Sequence, residues 1–149
     1  SNPHAQLLCR FFELRHNSGI RVFTGGQIAG QAAEIFHIYP QGNFISASED
    51  TPYLQIGETK YGKPILDRVV DYQLPLQAAA KCALISLDST IRSNLSVGLP
   101  LDLLIYQKDG FSADNHHDVT DQNSDFRALG EAWSQGLREA FSQLPDMNW

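Results

Sequence analysis

Polar residues able to do chemistry gather at four places in this chain. His116-His117, flanked by Asp114, Asp118 and Asp121, offer imidazole and carboxylate groups of the kind that hold divalent metals. Adjacent histidines in a polar loop more often simply face water, and neither a metal nor any other cofactor is expected. Gly25-Gly26 can bring backbone amides close to a ligand, although a break or bulge in a strand accounts for the pair as well and is preferred. Gly57-Glu58-Thr59 follows an apolar run and opens a helix, so its amides point where an oxyanion or carboxylate can be held. Arg92-Ser93-Asn94-Leu95-Ser96-Val97-Gly98 is a polar cluster in a tight turn before an apolar strand. On residue types alone, its Ser and Asn satisfy the last carbonyls of a helix and Gly98 takes a positive φ.

Familiar catalytic signatures are missing. The chain has no Gly-x-Ser-x-Gly elbow, no His-Glu-x-x-His, no Gly-Lys-Ser/Thr phosphate loop and no Cys-x-x-Cys pair. Its 149 residues make one domain, 1–149, and 42% hydrophobic content is ordinary for a globular protein. A formal charge of −6, with 11 Lys and Arg scattered along the chain, gives no footprint for a phosphate backbone, so nucleic acid is not expected as a partner. No apolar run is long enough to span a bilayer, and no secretory leader opens the chain; no membrane is expected, and the location expected is cytoplasmic. Cys9 and Cys82 lie far apart among apolar residues, as buried thiols do in a reducing compartment.

Periodicity supplies the elements that must position those residues. Leu7, Leu8, Phe11, Phe12 and Leu14 mark an amphipathic helix from about Ala5 to His16, closed by Asn17-Ser18-Gly19. Short strands are expected from Ile20 to Thr24, Glu34 to Tyr39 and Asn43 to Ala47, the last two joined by a hairpin at Pro40-Gln41-Gly42. Tyr53 to Ile56 reads as a fourth strand leading into Gly57. Tyr61, Ile65, Leu66 and Val69 then share a helix face, with Pro64 in its first turn. From Pro75 to Asn94, Leu76, Ala80, Ala83, Leu84, Leu87 and Ile91 line one side of a long helix, while Gln77, Lys81, Asp88 and Arg92 take its polar side. Leu101 to Tyr106 is a strand apolar enough to be covered on both faces. After a polar stretch from Gln107 to Asn123, Phe126, Leu129, Trp133, Leu137, Ala140, Phe141 and Leu144 stripe a last helix with Ser124 as its N-cap. Segregated helices and strands imply an α+β fold.

Several sequence words, in order along the chain, resemble the bacterial proteasome-type peptidase family called Anbu, the ancestral beta subunit. They include Gly25-Gly26-Gln27-Ile28, Ile38-Tyr39-Pro40-Gln41-Gly42-Asn43, the run from Gly57 to Arg68, Lys81-Cys82-Ala83-Leu84, Asp88-Ser89-Thr90, the run from Arg92 to Gly98, and Trp133-Ser134-Gln135-Gly136-Leu137-Arg138. The resemblance implies the four-layer αββα sandwich of N-terminal-nucleophile hydrolases, of which this chain holds the later part. It also implies amide hydrolysis of peptides or unfolded proteins by an amino-terminal Thr or Ser, in a homo-oligomeric ring or open helix, with an assembly-only subunit of the same fold as the alternative. The nucleophile, its Asp and its Lys are then expected upstream of Ser1. Ser1 is itself an amino-terminal hydroxyl, but Asn2-Pro3-His4 does not begin a strand, so Ser1 is read as a cut end. What carries over is a supporting set. Gly57 and Glu58 resemble the place of a Gly-Ser-Gly segment near the nucleophile's amine, with Glu in place of Ser. Ser93 and Ser96 resemble a pair where proteasome subunits have Asp and Ser, and Asn94 is the residue able to compensate for the lost charge. Phe11, Phe12, Trp133 and Phe141 are candidate aromatic area for subunit contacts.

Overall fold

In the computed structural model the described residues are 6–10, as a strand, and 21–149. Ser1, Phe11, Phe12 and the turn at Asn17-Ser18-Gly19 lie outside them. The architecture is α+β, with two three-stranded antiparallel sheets and three helices among the described residues. One sheet has the order β1 (Gln6–Arg10), β5 (Leu101–Tyr106), β6 (His116–Val119); the other runs β2 (Val22–Gly26), β3 (Glu34–Ile38), β4 (Phe44–Ser46). The helices are α1 (Lys63–Val69), α2 (Leu76–Ser93) and α3 (Ser124–Ser142).

The hairpin expected at Pro40-Gln41-Gly42 forms: Tyr39 N–H donates to the Asn43 carbonyl at 2.9 Å, and Gly42 takes φ +88° to close the turn. The helix expected from about Ala5 to His16 is corrected over Gln6–Arg10, and the rest of it lies outside the described residues. Gln6–Arg10 is a strand, with Gln6 opposite Tyr106 and Arg10 opposite Asp102. A short apolar run fits either period, and pairing with a strand about ninety-five residues away decides it. Tyr53 to Ile56 is not a strand among the described residues; the Tyr53 hydroxyl instead bonds Asp67, and Lys63 Nζ reaches both the tyrosine oxygen (3.0 Å) and Asp67 Oδ1 (2.7 Å). Conversely, the polar stretch after Tyr106 contains β6, an edge strand whose only buried residue is Val119. Its exposed His116, His117 and Asp118 conceal the alternation. Asn123, not Ser124, caps α3, its Oδ1 accepting from Phe126 N–H at 2.8 Å. Pro75 stands just before α2 as its N-cap, and Pro64 falls in the first turn of α1.

The core lies where α2 and α3 cover one face of the β1-β5-β6 sheet. Leu87, Leu101, Val119 and Phe126 form one buried cluster, and Ala80, Leu103 and Ile105 a second, with Leu76, Leu84 and Ile91 packed around them. The apolar stripe read along α2 is therefore its sheet-facing side. Strand β5 departs from the expectation of two covered faces: Leu101, Leu103 and Ile105 are buried, whereas Asp102, Leu104 and Tyr106 are half-buried. Leu104 and Tyr106 look into a cavity of about 310 Å³ shared with Gly25, Gly26 and Ile35 of the second sheet. Gly25-Gly26 itself lies in strand β2, paired with Glu34 and Ile35.

On the polar side of α2, Gln77, Lys81 and Arg92 are exposed, but a central patch is buried. Ser86, Asp88 and Thr90 are all shielded from water, because α1 and α3 approach that side at glycines. A Cβ on Gly62 would overlap Ser86 Oγ and lie 3.0 Å from the Ser86 carbonyl; one on Gly130 would lie 2.6 Å from Asp88 Oδ1. Asp88 is held by Arg92, whose Nε donates to Oδ2 at 2.8 Å. Replacing either glycine by alanine displaces Ser86 or Asp88 from its packed position, and Gly62→Ala and Gly130→Ala should each cost about 1–3 kcal/mol, read as a fall in urea midpoint.

In the smaller sheet, His37 is buried between Phe23 and Tyr39, at ring-centroid distances of 5.2 and 4.3 Å, and its Nε2 has no hydrogen-bond partner among the described residues. Burial, with a smaller contribution from Arg21, pushes its pKa below the usual value of 6.5. The unfolded chain thus takes up the proton first, and stability should be lost as pH falls below about 6.5 toward the native pKa. Thermal melts from pH 7.5 to 5 should show a smaller decline for His37→Phe than for the unsubstituted chain.

Candidate functional site

The chain segments that carry the singled-out polar residues meet where the loop before α1 faces the C-terminal end of α2. Gly57 takes φ +87°, a conformation open to glycine, at a bend after the irregular run Tyr53 to Ile56. Helix α1 does not begin there, as the residue types suggested, but at Lys63 behind the N-cap Gly62. The intervening residues form turns, in which the Glu58 carboxylate folds forward to accept from Lys60 N–H at 2.9 Å through Oε1. Contact of Gly62 with Ser86 and Thr90 anchors this loop against α2.

At the opposite side, α2 ends at Ser93, and Asn94 follows with φ −139° and ψ 111°. Its backbone N–H still donates to the Thr90 carbonyl at 2.9 Å, so the backbone is continuous with the helix while the side chain is free to point elsewhere. That side chain spans the gap: Asn94 Nδ2 donates to Glu58 Oε2 at 3.0 Å. Its Oδ1 accepts twice from Ser96, from the backbone N–H at 2.9 Å and the hydroxyl at 2.7 Å. Two donors on Oδ1 and an acceptor opposite Nδ2 fix the amide in one orientation. Asn94 therefore links the turn to the loop instead of capping helix carbonyls. Gly98 is not among the positive-φ glycines, and Val97 N–H closes the turn onto the Asn94 carbonyl at 3.1 Å.

The result is a continuous chain Ser96–Asn94–Glu58–Lys60, partly buried at its centre and open to water at its ends. Glu58 contributes a carboxylate, Asn94 a fixed dipole, and Ser96 a hydroxyl whose proton is committed and whose lone pairs can accept. Of the five candidates read from the sequence, Glu58, Asn94 and Ser96 are brought together by hydrogen bonds, and Gly57 shapes the loop. Ser93 is adjacent and exposed, and its side chain is not joined to this chain among the described residues. Sequence reasoning missed the bond between Asn94 and Glu58, which are thirty-six residues apart; no local signal announces it. Nothing brings the histidine loop here. No helix among the described residues is long and apolar enough to cross a membrane.

Comparison with known proteins gives a consistent result. No protein-family model matches the chain, and no curated protein matches it. Solved structures do. Anbu (ancestral beta-subunit) from Yersinia bercovieri is 55% identical with a TM-score of 0.82, over 85% of this chain and 54% of the other. Anbu from Hyphomicrobium sp. strain MC1 is 51% identical with a TM-score of 0.82, over 85% and 55%. The helical assembly of the Anbu complex from Pseudomonas aeruginosa is 52% identical with a TM-score of 0.81, over 85% and 52%. The chain spans about half the length of these relatives. Agreement in sequence and in backbone over so much of it means that this chain belongs to the Anbu family.

Proposed function

We propose that residues 1–149 are the later part of a proteasome-type β domain, a four-layer αββα sandwich whose activity is amide hydrolysis of peptides or unfolded proteins by an amino-terminal Thr or Ser. In this reading the nucleophile, its orienting Asp and its Lys come from outside this chain, and Gly57, Glu58, Ser93, Asn94 and Ser96 form the supporting side of the site. The observation that carries it is the Asn94–Glu58 hydrogen bond. An amino-terminal nucleophile needs its amine held and its hydroxyl proton accepted as the tetrahedral oxyanion forms. Proteasome subunits keep an Asp at the position that Ser93 resembles. Here Glu58 brings a carboxylate to the same turn from the opposite segment, and the locked Asn94 amide carries its polarity to Ser96. Gly57, with its positive φ, leaves backbone amides beside the loop unencumbered by a side chain.

Assembly into a homo-oligomer, ring or open helix, belongs to the same proposal, as does a cytoplasmic location. Supporting it is the C-terminal half of α3 with the residues just beyond it, where Leu137, Phe141 and Leu144 are 51%, 76% and 66% exposed, more apolar surface than a helix end leaves in water. Trp133 is half-buried, so Phe141 is the aromatic that this surface presents. That surface also favours a second reading, a subunit retained for assembly without cleavage, since Ser93 stands outside the hydrogen-bonded chain.

This chain by itself should not turn over fluorogenic peptides; turnover abolished by Ser1→Ala would instead make Ser1 the nucleophile. In the intact subunit, Asn94→Ala should lower kcat about 10–100-fold with little change in KM, and Glu58→Gln should do the same to a smaller degree. An intact subunit that assembles, as read by native mass spectrometry, yet cleaves nothing at any pH supports the assembly reading.

A further inference from the structure

The antiparallel register of β5 and β6 sets Asp102 directly opposite Asp118, and Leu104 opposite His116. Side chains at i and i+2 of a strand share a face, so Asp102, His116 and Asp118 stand together on the face away from the buried Leu101, Leu103 and Val119. Two positions on one strand plus the residue across from them make three corners of a small triangle, a spacing suited to holding one ion from one side. One ligand atom from each residue lies within 4.8 Å of the others. His116 Nε2 is 3.5 Å from Asp102 Oδ1, and His116 Nδ1 is 3.8 Å from Asp118 Oδ1. Around a zinc ion bound at ~2.1 Å, neighbouring ligand atoms sit roughly 3.4 Å apart, so the imidazole and Asp102 already have that separation. Asp118, at 69% side-chain exposure, is free to swing onto the ion or to hold the far nitrogen of the ring.

Charge points the same way. Like charges directly opposite on a sheet repel, and Asp102 stands directly opposite Asp118. His117 projects from the other face and meets Asn115 Oδ1 at 2.7 Å, while Asp114 is taken up by Ser112. The tertiary fold thus selects His116 and Asp118 from the polar loop and adds Asp102 from a strand fourteen residues earlier.

We propose that Asp102, His116 and Asp118 bind one divalent transition-metal ion, zinc foremost, which clips the edge strand β6 to β5. An imidazole among the ligands favours zinc over magnesium or calcium, which take oxygen donors. The site is independent of the peptidase reading. Calorimetric titration of the chelator-treated chain with zinc chloride tests it. One ion per chain is expected, with affinity falling at least about tenfold in Asp102→Asn and in His116→Ala and unchanged in His117→Ala, and with zinc raising the melting temperature of the unsubstituted chain but not of His116→Ala. All three residues are exposed or half-exposed, so folded variants are expected, checked by circular dichroism. No saturable binding below millimolar zinc overturns the proposal, as does binding that survives His116→Ala or is lost in His117→Ala.

Discussion

Close approach at two glycines is the constraint on which the rest of this structure depends. Helix α2 buries an apolar side against the β5 sheet and a polar patch against α1 and α3, so it is held from both directions. Ser86, Asp88 and Thr90 can be enclosed because the opposing backbone carries no side chain at Gly62 and Gly130, and because Thr90 donates to the Ser86 carbonyl at 2.8 Å and Asp88 accepts from Arg92. Buried polar groups are tolerated when paired. A methyl group at either glycine would have to displace one of those oxygens. The patch of Ser86, Asp88 and Thr90 thereby becomes a seam between helices, while Gln77, Lys81 and Arg92 stay in water.

That seam fixes the geometry of the candidate site. Gly62 is four residues beyond Glu58, and Thr90 is four residues before Asn94. Packing of Gly62 on Ser86 and Thr90 brings the two segments to hydrogen-bonding distance one turn farther along. At that distance the carboxylate of Glu58 and the amide of Asn94 are complementary, and Ser96 completes the set by turning back on Asn94. A charge delivered across a packed helix seam is held in place by the seam, so the electrostatics of the turn rest on packing rather than on a charged residue within the turn itself. The Tyr53–Lys63–Asp67 cluster braces the other end of the same loop, with the Asp67 hydrogen bond foremost in holding Lys63 in its charged form.

Much of this could be read before any coordinates. The hairpin at Pro40-Gln41-Gly42, the start of α2 after Pro75 and the apolar stripe of α2 are local in origin: a turn needs its glycine, a helix start tolerates proline, and a core face repeats every three to four residues. The same is true of the family, because ordered words such as Gly57-Glu58-Thr59-Lys60-Tyr61-Gly62 are properties of the chain alone. The pairing partners of a strand are not. Gln6–Arg10 has a pattern that suits a helix, and only β5 makes it a strand; His116–Val119 has no visible alternation, and only an edge position makes one unnecessary. Asp88 reads as a polar surface residue until Gly130 covers it. Asn94 likewise reads as a helix cap until Glu58 arrives from thirty-six residues away. Residue types and periods are fixed by covalent order and local backbone preference, and so the long helices, the hairpin, the family and the list of candidate side chains belong to the sequence. Which candidates touch depends on burial shared between distant segments, whose free energy no local window contains, and that was decided only by the tertiary structure.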